Sequence, residues 1–131
     1  MLRLKPDDAA AHLGLGRAHE RWNRPNDAIS EYESAARLDP LLVEASVNLG
    51  ALLQQKGRLN IAITAYRATL AIHPDDFAAH FNLGNAYLAQ TNRPAAVEHY
   101  RSALALASTQ GHADLAPQIQ TQLEALERGT P

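Results

Sequence analysis

The sequence repeats itself with a period of 34 residues. The register is set by a proline two positions after an aliphatic residue, and it also relates one glycine and one tyrosine in each copy. These residues are Pro6, Pro40 and Pro74; Gly16, Gly50 and Gly84; and Tyr32, Tyr66 and Tyr100. Self-similarity at a period of roughly 20 to 50 residues indicates an array in which each unit buries its apolar face against its neighbours. The sequence therefore predicts three stacked units, at residues 9–42, 43–76 and 77–110.

Each unit divides into two helices at a short polar break. The breaks contain glycine or proline and lie at residues 23–27, 56–60 and 91–95. On both sides of each break, apolar residues recur every three or four positions, which is the spacing of one helix face. Pro25 and Pro94 suit the first turn of a second helix, where the missing amide hydrogen is not needed. The sequence thus predicts an all-α chain of antiparallel helical hairpins.

Each unit also places a glycine inside its first helix, directly after a leucine. Glycine in a helix interior costs about 1 kcal/mol relative to alanine, so a repeated one requires a compensating contact. Asn82 lies two residues before Gly84, about 200° around a helix, so the two residues face opposite directions. We predict that Gly84 lets the first helix approach the second near Ala96 and Tyr100, and that burial of the tyrosine ring offsets the cost.

Composition argues against several classes of partner and site. Twelve basic and fourteen acidic side chains give a net charge of -2, which offers no electrostatic footprint for nucleic acid or an anionic membrane. Because the chain contains no cysteine, neither a disulfide framework nor a thiolate metal site is predicted. No apolar run reaches the length of a membrane span, and the first residues lack the apolar core of a signal peptide. A cytoplasmic location is the expectation.

These positions resemble the tetratricopeptide repeat family. The family pattern places a large side chain, Leu-Gly and an aromatic in the first helix, a small residue, an aromatic and a second small residue in the second helix, and a closing proline. This sequence departs from it mainly at the early large position, with His12, Ser46 and His80, and at His19 and Thr69. The first unit supplies Leu15, Gly16, His19, Ala28, Tyr32, Ala35 and Pro40; the second supplies Leu49, Gly50, Leu53, Ala62, Tyr66, Thr69 and Pro74. The third supplies Leu83, Gly84, Tyr87, Ala96, Tyr100 and Ala103, with Ser108 at the place of the proline. The resemblance covers residues 9–110.

The resemblance implies a right-handed superhelix, an α-solenoid, whose first helices line a concave groove. Helical spacing around Asn48 and Asn82 then predicts the groove residues: Leu13, Arg17, Glu44, Val47, Asn48, Ala51, Ala78, Phe81, Asn82, Asn85 and Leu88. An asparagine amide both donates and accepts hydrogen bonds, so it can hold the backbone of an extended peptide. The two asparagines are similar to the asparagine ladder of O-linked N-acetylglucosamine transferases, with Gly14 at the place of a third. The alternative interpretation is that they only solvate an exposed helix face.

A second family groove, the carboxylate clamp that grips the acidic C-terminus of heat-shock chaperones, is not predicted. Asn48 occupies the matching central position, but Leu13, Ala78 and Asn82 stand where the clamp has basic or polar partners. Arg17 is the cation that the sequence singles out in the groove, and Glu44, one unit along, is placed to pair with it.

No arrangement in the sequence indicates catalysis, a cofactor or a metal. Gly14 and Gly16 lie inside a helical pattern and follow no strand, so they do not form a dinucleotide-binding fingerprint. His12 and His80 hold equivalent positions two units apart, too far for one ion at about 10 Å per packed helix. We therefore predict a chain that is not an enzyme and that has no catalytic, cofactor or metal site.

The two ends of the chain differ. Residues 1–8 match the end of a second helix and indicate the tail of a preceding repeat or an N-terminal extension. Residues 111–131 predict a C-terminal capping helix and tail, with one apolar stripe formed by Leu115, Ile119, Leu123 and Leu126. We expect this stripe to cover the third hairpin, as terminal repeats of solenoids require. The alternative is that a terminal helix, or the uncapped first hairpin, docks a second copy to form a homodimer.

The predicted function is a protein-protein interaction module that binds an extended peptide or partner protein in the groove and belongs to a larger protein. Two helix-to-helix steps of about 10 Å give roughly 20 Å of groove. That length holds about six extended residues at about 3.3 Å each. Two alternatives stay open: a substrate-recruiting repeat domain of a glycosyltransferase- or sulfotransferase-type enzyme, and a self-assembling structural scaffold.

Overall fold

Helices make up the regular structure of the chain, as the sequence predicts. The computed structural model describes residues 8–128, in which no strand occurs. The α-helices, numbered in chain order, are α1 Ala9–Arg21, α2 Pro25–Leu38, α3 Val43–Gln55, α4 Leu59–Ile72, α5 Phe77–Ala89, α6 Arg93–Ala107 and α7 Ala116–Glu127. A short 3₁₀-helix, Ala113–Leu115, precedes α7. The expected tails at residues 1–7 and 129–131 lie outside the described residues.

The helix ends follow from local residue chemistry. Pro25 begins α2, and Pro94 lies in the first turn of α6. Asp76 caps α5 through a 2.9 Å hydrogen bond in which its carboxylate accepts from the backbone amide of Ala79. The turn from first to second helix passes through a residue with positive φ at the same position of every hairpin: Asn23 at 57°, Gly57 at 78° and Thr91 at 61°.

A glycine set against a tyrosine ring joins the two helices of each hairpin. A Cβ atom built on Gly84 would lie 2.7 Å from ring atoms of Tyr100, and one on Gly16 would lie 2.4 Å from the ring of Tyr32. The rings themselves are buried. An aromatic side chain buries about 150–250 Å², which is worth roughly 4–6 kcal/mol. This exceeds the cost of about 1 kcal/mol for the glycine, and the predicted role of the glycines is confirmed.

The hairpins stack so that the first helices lie on the inside of the curve. One apolar cluster runs through α1 to α4 and takes in Leu83 and Ala86 of α5. In addition, α3 contacts α5 directly, and no two second helices within residues 8–128 share a comparable contact. The chain is therefore an α-solenoid with the first helices lining its inner face. None of the described helices combines the length and the apolar character that a membrane span requires.

The last helix covers the third hairpin. A second apolar cluster joins α5 and α6 to Ile119 and Leu123 of α7, which are nearly fully buried, and Leu115 and Leu126 pack partly buried at its edge. The apolar stripe of α7 thus packs against the third hairpin. Because Ile119 and Leu123 are buried within the chain, they are not exposed to a second copy.

Candidate peptide-binding groove

The inner face of the first helices carries ten of the eleven predicted groove residues as exposed or half-buried side chains. Leu13 is the exception and requires a correction, because it is 6% exposed and belongs to the core cluster with Ala28 and Ile29. Its position explains the burial. Leu13 lies only about 60° around α1 from Gly16, which faces the second helix, so its side chain turns toward the core rather than the groove.

Arg17 and Glu44 meet at the N-terminal end of the groove. The Arg17 guanidinium on α1 donates to the Glu44 carboxylate on α3, and this contact raises the pKa of Arg17. Both side chains are about half exposed, so solvent screens the pair and it adds little to stability. Gly14, one turn before Arg17, leaves open space, since a Cβ atom built there would meet nothing within 4 Å. This end of the groove is polar, and its two charges cancel.

The hydroxyl groups of the three buried tyrosines reach polar side chains of the first helices. Tyr32 donates to the carboxylate of Glu20. Tyr66 donates to Oε1 of Gln54 at 3.2 Å. Tyr100 donates to Oδ1 of Asn85 at 2.5 Å, and burial raises its pKa to about 12. The repeat pattern does not predict the acceptor role of Glu20 and Gln54, although both stand twelve residues before their tyrosines.

The three groove asparagines have different environments. The side chain of Asn48 interacts with the Tyr32 hydroxyl and lowers its pKa, against the larger opposing effect of burial. The oxygen of Asn85 accepts from Tyr100, which leaves its amide nitrogen as a donor. Asn82 is half-buried and has no hydrogen-bond partner among residues 8–128. Of the three, Asn82 has both its donor and its acceptor available to a ligand.

A cleft of about 110 Å³ lies at the C-terminal end of the groove, between α5 and α7. It brings together three predicted groove residues and four residues that were not predicted to lie in the groove: Phe81, Asn85, Leu88, Tyr100, Gln118, Ile119 and Gln122. Phe81 stacks on Phe77 with ring centroids 5.6 Å apart and lies 6.3 Å from the ring of Tyr100. The capping helix therefore also forms a wall of the groove, which its apolar stripe alone does not reveal.

Two histidines of the first helices meet side chains of the second helices. Nδ1 of His12 lies 2.6 Å from Oε2 of Glu31, and Nδ1 of His80 lies 3.1 Å from Nδ1 of His99. Burial, and secondarily the neighbouring His80, lower the pKa of His99. In the part of the chain that the structure describes, no group of three or more histidine, aspartate or glutamate side chains is placed to hold a metal ion.

Three family models match this chain, and all describe the same repeat. A TPR repeat model matches residues 52–90, and two tetratricopeptide repeat models match residues 2–43 and 77–109. Together they span most of the sequence, and they overlap the three units that the 34-residue period predicts. No curated protein matches the chain in sequence.

Several solved structures share the fold over nearly the whole chain. One is PcrH, a protein of Pseudomonas aeruginosa, in complex with the chaperone-binding region of PopD: it is 25% identical with a TM-score of 0.86, and the match covers 98% of each chain. The type III secretion chaperone SycD of Yersinia enterocolitica, in complex with a peptide of the translocator YopD, is 19% identical with a TM-score of 0.87 over 98% of each chain. MamA is 22% identical with a TM-score of 0.74, covering 95% of this chain and 81% of its own.

Proposed function

The chain belongs to the tetratricopeptide repeat family, and we propose that it is a protein-binding module that holds an extended peptide or a segment of a partner protein in its groove. The observation that carries this proposal is the position of Asn82. Its amide has no partner among the described residues, and it lies on the side of α5 that faces away from Gly84, next in sequence to Phe81. An amide beside apolar side chains can pair with a peptide backbone while neighbouring side chains of the peptide are buried.

The solved relatives support a peptide ligand. PcrH, which is 25% identical, was solved with the chaperone-binding region of PopD, and its fold matches this chain from end to end. The enzyme-arm and scaffold alternatives have no comparable support among these relatives. The proposed function is binding without chemistry of its own, and the proposed location is the cytoplasm.

The charge of the groove restricts the ligand. Arg17 and Glu44 neutralise each other at one end, and the cleft at the other end has no charged residue in its lining. A strongly acidic or strongly basic segment would therefore find no complementary field along the groove. The segment that fits is extended, about six residues long, and mixed polar and apolar in character.

The test is selection from a random heptapeptide library displayed on phage, with three immobilised proteins. The wild-type protein should enrich related sequences, and Asn82→Ala should bind the enriched peptides about tenfold more weakly. The loss of one or two hydrogen bonds of about 1 kcal/mol each accounts for this factor. Asn26→Ala, at an exposed asparagine on α2, is the matched control and should bind like wild type.

Two outcomes would refute the proposal. One is that wild type enriches no sequence above an empty surface. The other is that Asn26→Ala and Asn82→Ala weaken binding equally while both stay helical by circular dichroism, because the groove would then not be the binding surface.

A homodimer through the first hairpin is a second candidate. Leu15 on α1 is 38% exposed, whereas Leu83, its equivalent on α5, is fully buried in the core cluster. An apolar position that is exposed at one end of the array and buried further along suits contact with a second copy. Light scattering at high protein concentration should show a dimer that Leu15→Glu dissociates, and a monomeric wild-type protein would exclude it.

A further inference from the structure

The cleft between α5 and α7 has an uncharged lining. Its seven residues are three amides, two aromatic rings and two aliphatic side chains, and none carries a charge: Phe81, Asn85, Leu88, Tyr100, Gln118, Ile119 and Gln122. Tyr100 and Ile119 are almost completely buried, so they form the floor of the cleft and expose little surface. Phe81 and Leu88 are half-buried and offer apolar surface to an incoming group.

The walls of this cleft are held in place from two sides. Ile119 and Leu123 anchor α7 in the apolar cluster with α6. At the far end of the helix, Arg101 of α6 donates to the carboxylate of Glu127 at 2.8 Å. On the α5 side, Phe81 stacks on Phe77, and the hydroxyl of Tyr100 is bonded to Asn85. A preformed cleft reduces the ordering that a ligand must impose, which favours binding.

Two amides of α7 lie at the cleft without partners. Gln118 and Gln122 are four residues apart, so they share one face of the helix. Neither forms a hydrogen bond within residues 8–128, whereas Gln120, on the other side of the helix, donates to Glu124 at 3.1 Å. The nitrogen of Asn85 remains available on the opposite wall. Gln118 and Gln122 can each donate and accept, as a peptide backbone requires.

Size and charge select the group that enters. A cavity of about 150 Å³ in another protein holds a benzene molecule, so a cleft of about 110 Å³ suits a smaller, aliphatic side chain. A carboxylate or ammonium group would lose water without gaining a countercharge, because the lining residues contain none. The amides then pair with the backbone on either side of the buried side chain.

From these observations we infer that α7 is part of the binding site rather than only a cap. The cleft between α5 and α7 binds an uncharged aliphatic side chain of the bound segment, while Gln118 and Gln122 pair with its backbone. This inference rests on the proposed function and adds to it the identity of one anchor of the ligand and the helix that completes the site.

The probe is the blocked tripeptide acetyl-Ala-Leu-Ala-amide, titrated into isotopically labelled full-length protein and followed by NMR. We expect saturable shifts of the side-chain amides of Gln118 and Gln122 and of the Ile119 methyl groups. The same tripeptide with aspartate or phenylalanine in place of leucine should bind at least fivefold more weakly. The double variant Gln118→Ala, Gln122→Ala should weaken the leucine tripeptide at least fivefold, whereas Gln120→Ala on the same helix should leave it unchanged. The amide spectra report the fold of each variant directly.

The outcomes separate this inference from the proposed function. No saturable shift at the cleft, or equal binding of the aspartate and leucine tripeptides, overturns the inference. Display-selected heptapeptides that need Asn82 but bind the double variant like wild type also overturn it, and they leave the proposed function intact. The leucine tripeptide could also saturate the cleft while display enriches no sequence. That outcome supports binding at the cleft and refutes the proposed binding of a longer peptide along the groove.

Discussion

The first hairpin and the third hairpin bury their tyrosines in the same way and satisfy the hydroxyl groups differently. In the first, Tyr32 donates to Glu20. In the third, Leu88 stands at the equivalent position and cannot accept a hydrogen bond, so Tyr100 donates to Asn85 instead. A buried hydroxyl requires an acceptor but does not specify which residue supplies it. Moving the acceptor by one turn frees an apolar residue to line the cleft beside α7.

A second pair of equivalent positions differs in charge. His12 and Glu31 face each other across the first hairpin, and their equivalents in the third hairpin are His80 and His99. Burial, and secondarily His80, lower the pKa of His99. The same backbone geometry therefore places a histidine beside a carboxylate in the first hairpin and beside a second histidine in the third.

The third difference is that α7 covers the third hairpin while the first hairpin has no such helix among the described residues. Substitutions there have the largest expected effect on the free energy of unfolding. Ile119 is 1% exposed beneath the third hairpin. We expect Ile119→Ala to lower the free energy of unfolding by about 2–5 kcal/mol, since it removes buried methyl groups and leaves a cavity. Leu15→Ala at the first hairpin should cost less than about 1 kcal/mol, because Leu15 is 38% exposed. Equal losses in urea unfolding would show that the two ends are covered alike.

Substitutions of the glycines test the close approach of the two helices that the hairpins share. Gly16→Ala places a Cβ atom 2.4 Å from the Tyr32 ring, and overpacking of this kind should cost about 1–3 kcal/mol. Gly14→Ala in the same helix meets nothing within 4 Å and should stabilise the protein by up to about 1 kcal/mol through helix propensity. Thermal unfolding of both variants should therefore give shifts of opposite sign, and a stabilised Gly16→Ala would contradict the close approach.

Exchanging the residues that accept from the tyrosine hydroxyls tests the first difference between the two hairpins. Glu20→Leu gives the first hairpin the residue of the third, but Arg17 stands where Asn85 would be and cannot accept. The buried Tyr32 hydroxyl then loses its acceptor, which should cost about 1–2 kcal/mol. Leu88→Gln copies the second hairpin and should cost less than about 1 kcal/mol, because Tyr100 keeps Asn85. Similar losses in the two variants, measured by urea unfolding, would mean that the hydroxyl partners are interchangeable.

The smallest effect is the acid sensitivity of the third hairpin. Burial, His80 and Arg67 lower the pKa of His99, and Glu98 opposes them. Because the folded state binds this proton less readily than the unfolded state, the stabilising contribution is complete above pH 6.5, the ordinary pKa of histidine. It is lost as the pH falls below 6.5 through the lowered pKa. His99→Glu copies the first hairpin and should flatten this loss in unfolding measured at pH 8, 6.5 and 5.5; an unchanged slope would exclude His99 as its source.

The groove was only partly predictable. The spacing from Asn82 places Phe81, Asn85 and Leu88 on one face of α5, and the structure brings these residues together in the cleft. The same rule places Leu13 in the groove, but Leu13 lies about 60° around α1 from Gly16 and packs into the core cluster instead. Gln118 and Gln122 carry no periodic signal of their own, so only the docking of α7 shows that they line the cleft.

The sequence by itself determines the units, their two helices and the contact of glycine with tyrosine, because a 34-residue period and a 3.6-residue helical period are both local regularities. It also determines that α7 has an apolar stripe. Only the tertiary structure decides which acceptor satisfies each tyrosine hydroxyl, that His80 meets His99, and that α7 closes a cleft over α5. These contacts join side chains on different helices, and their distances depend on how the helices cross and approach, which no local spacing specifies.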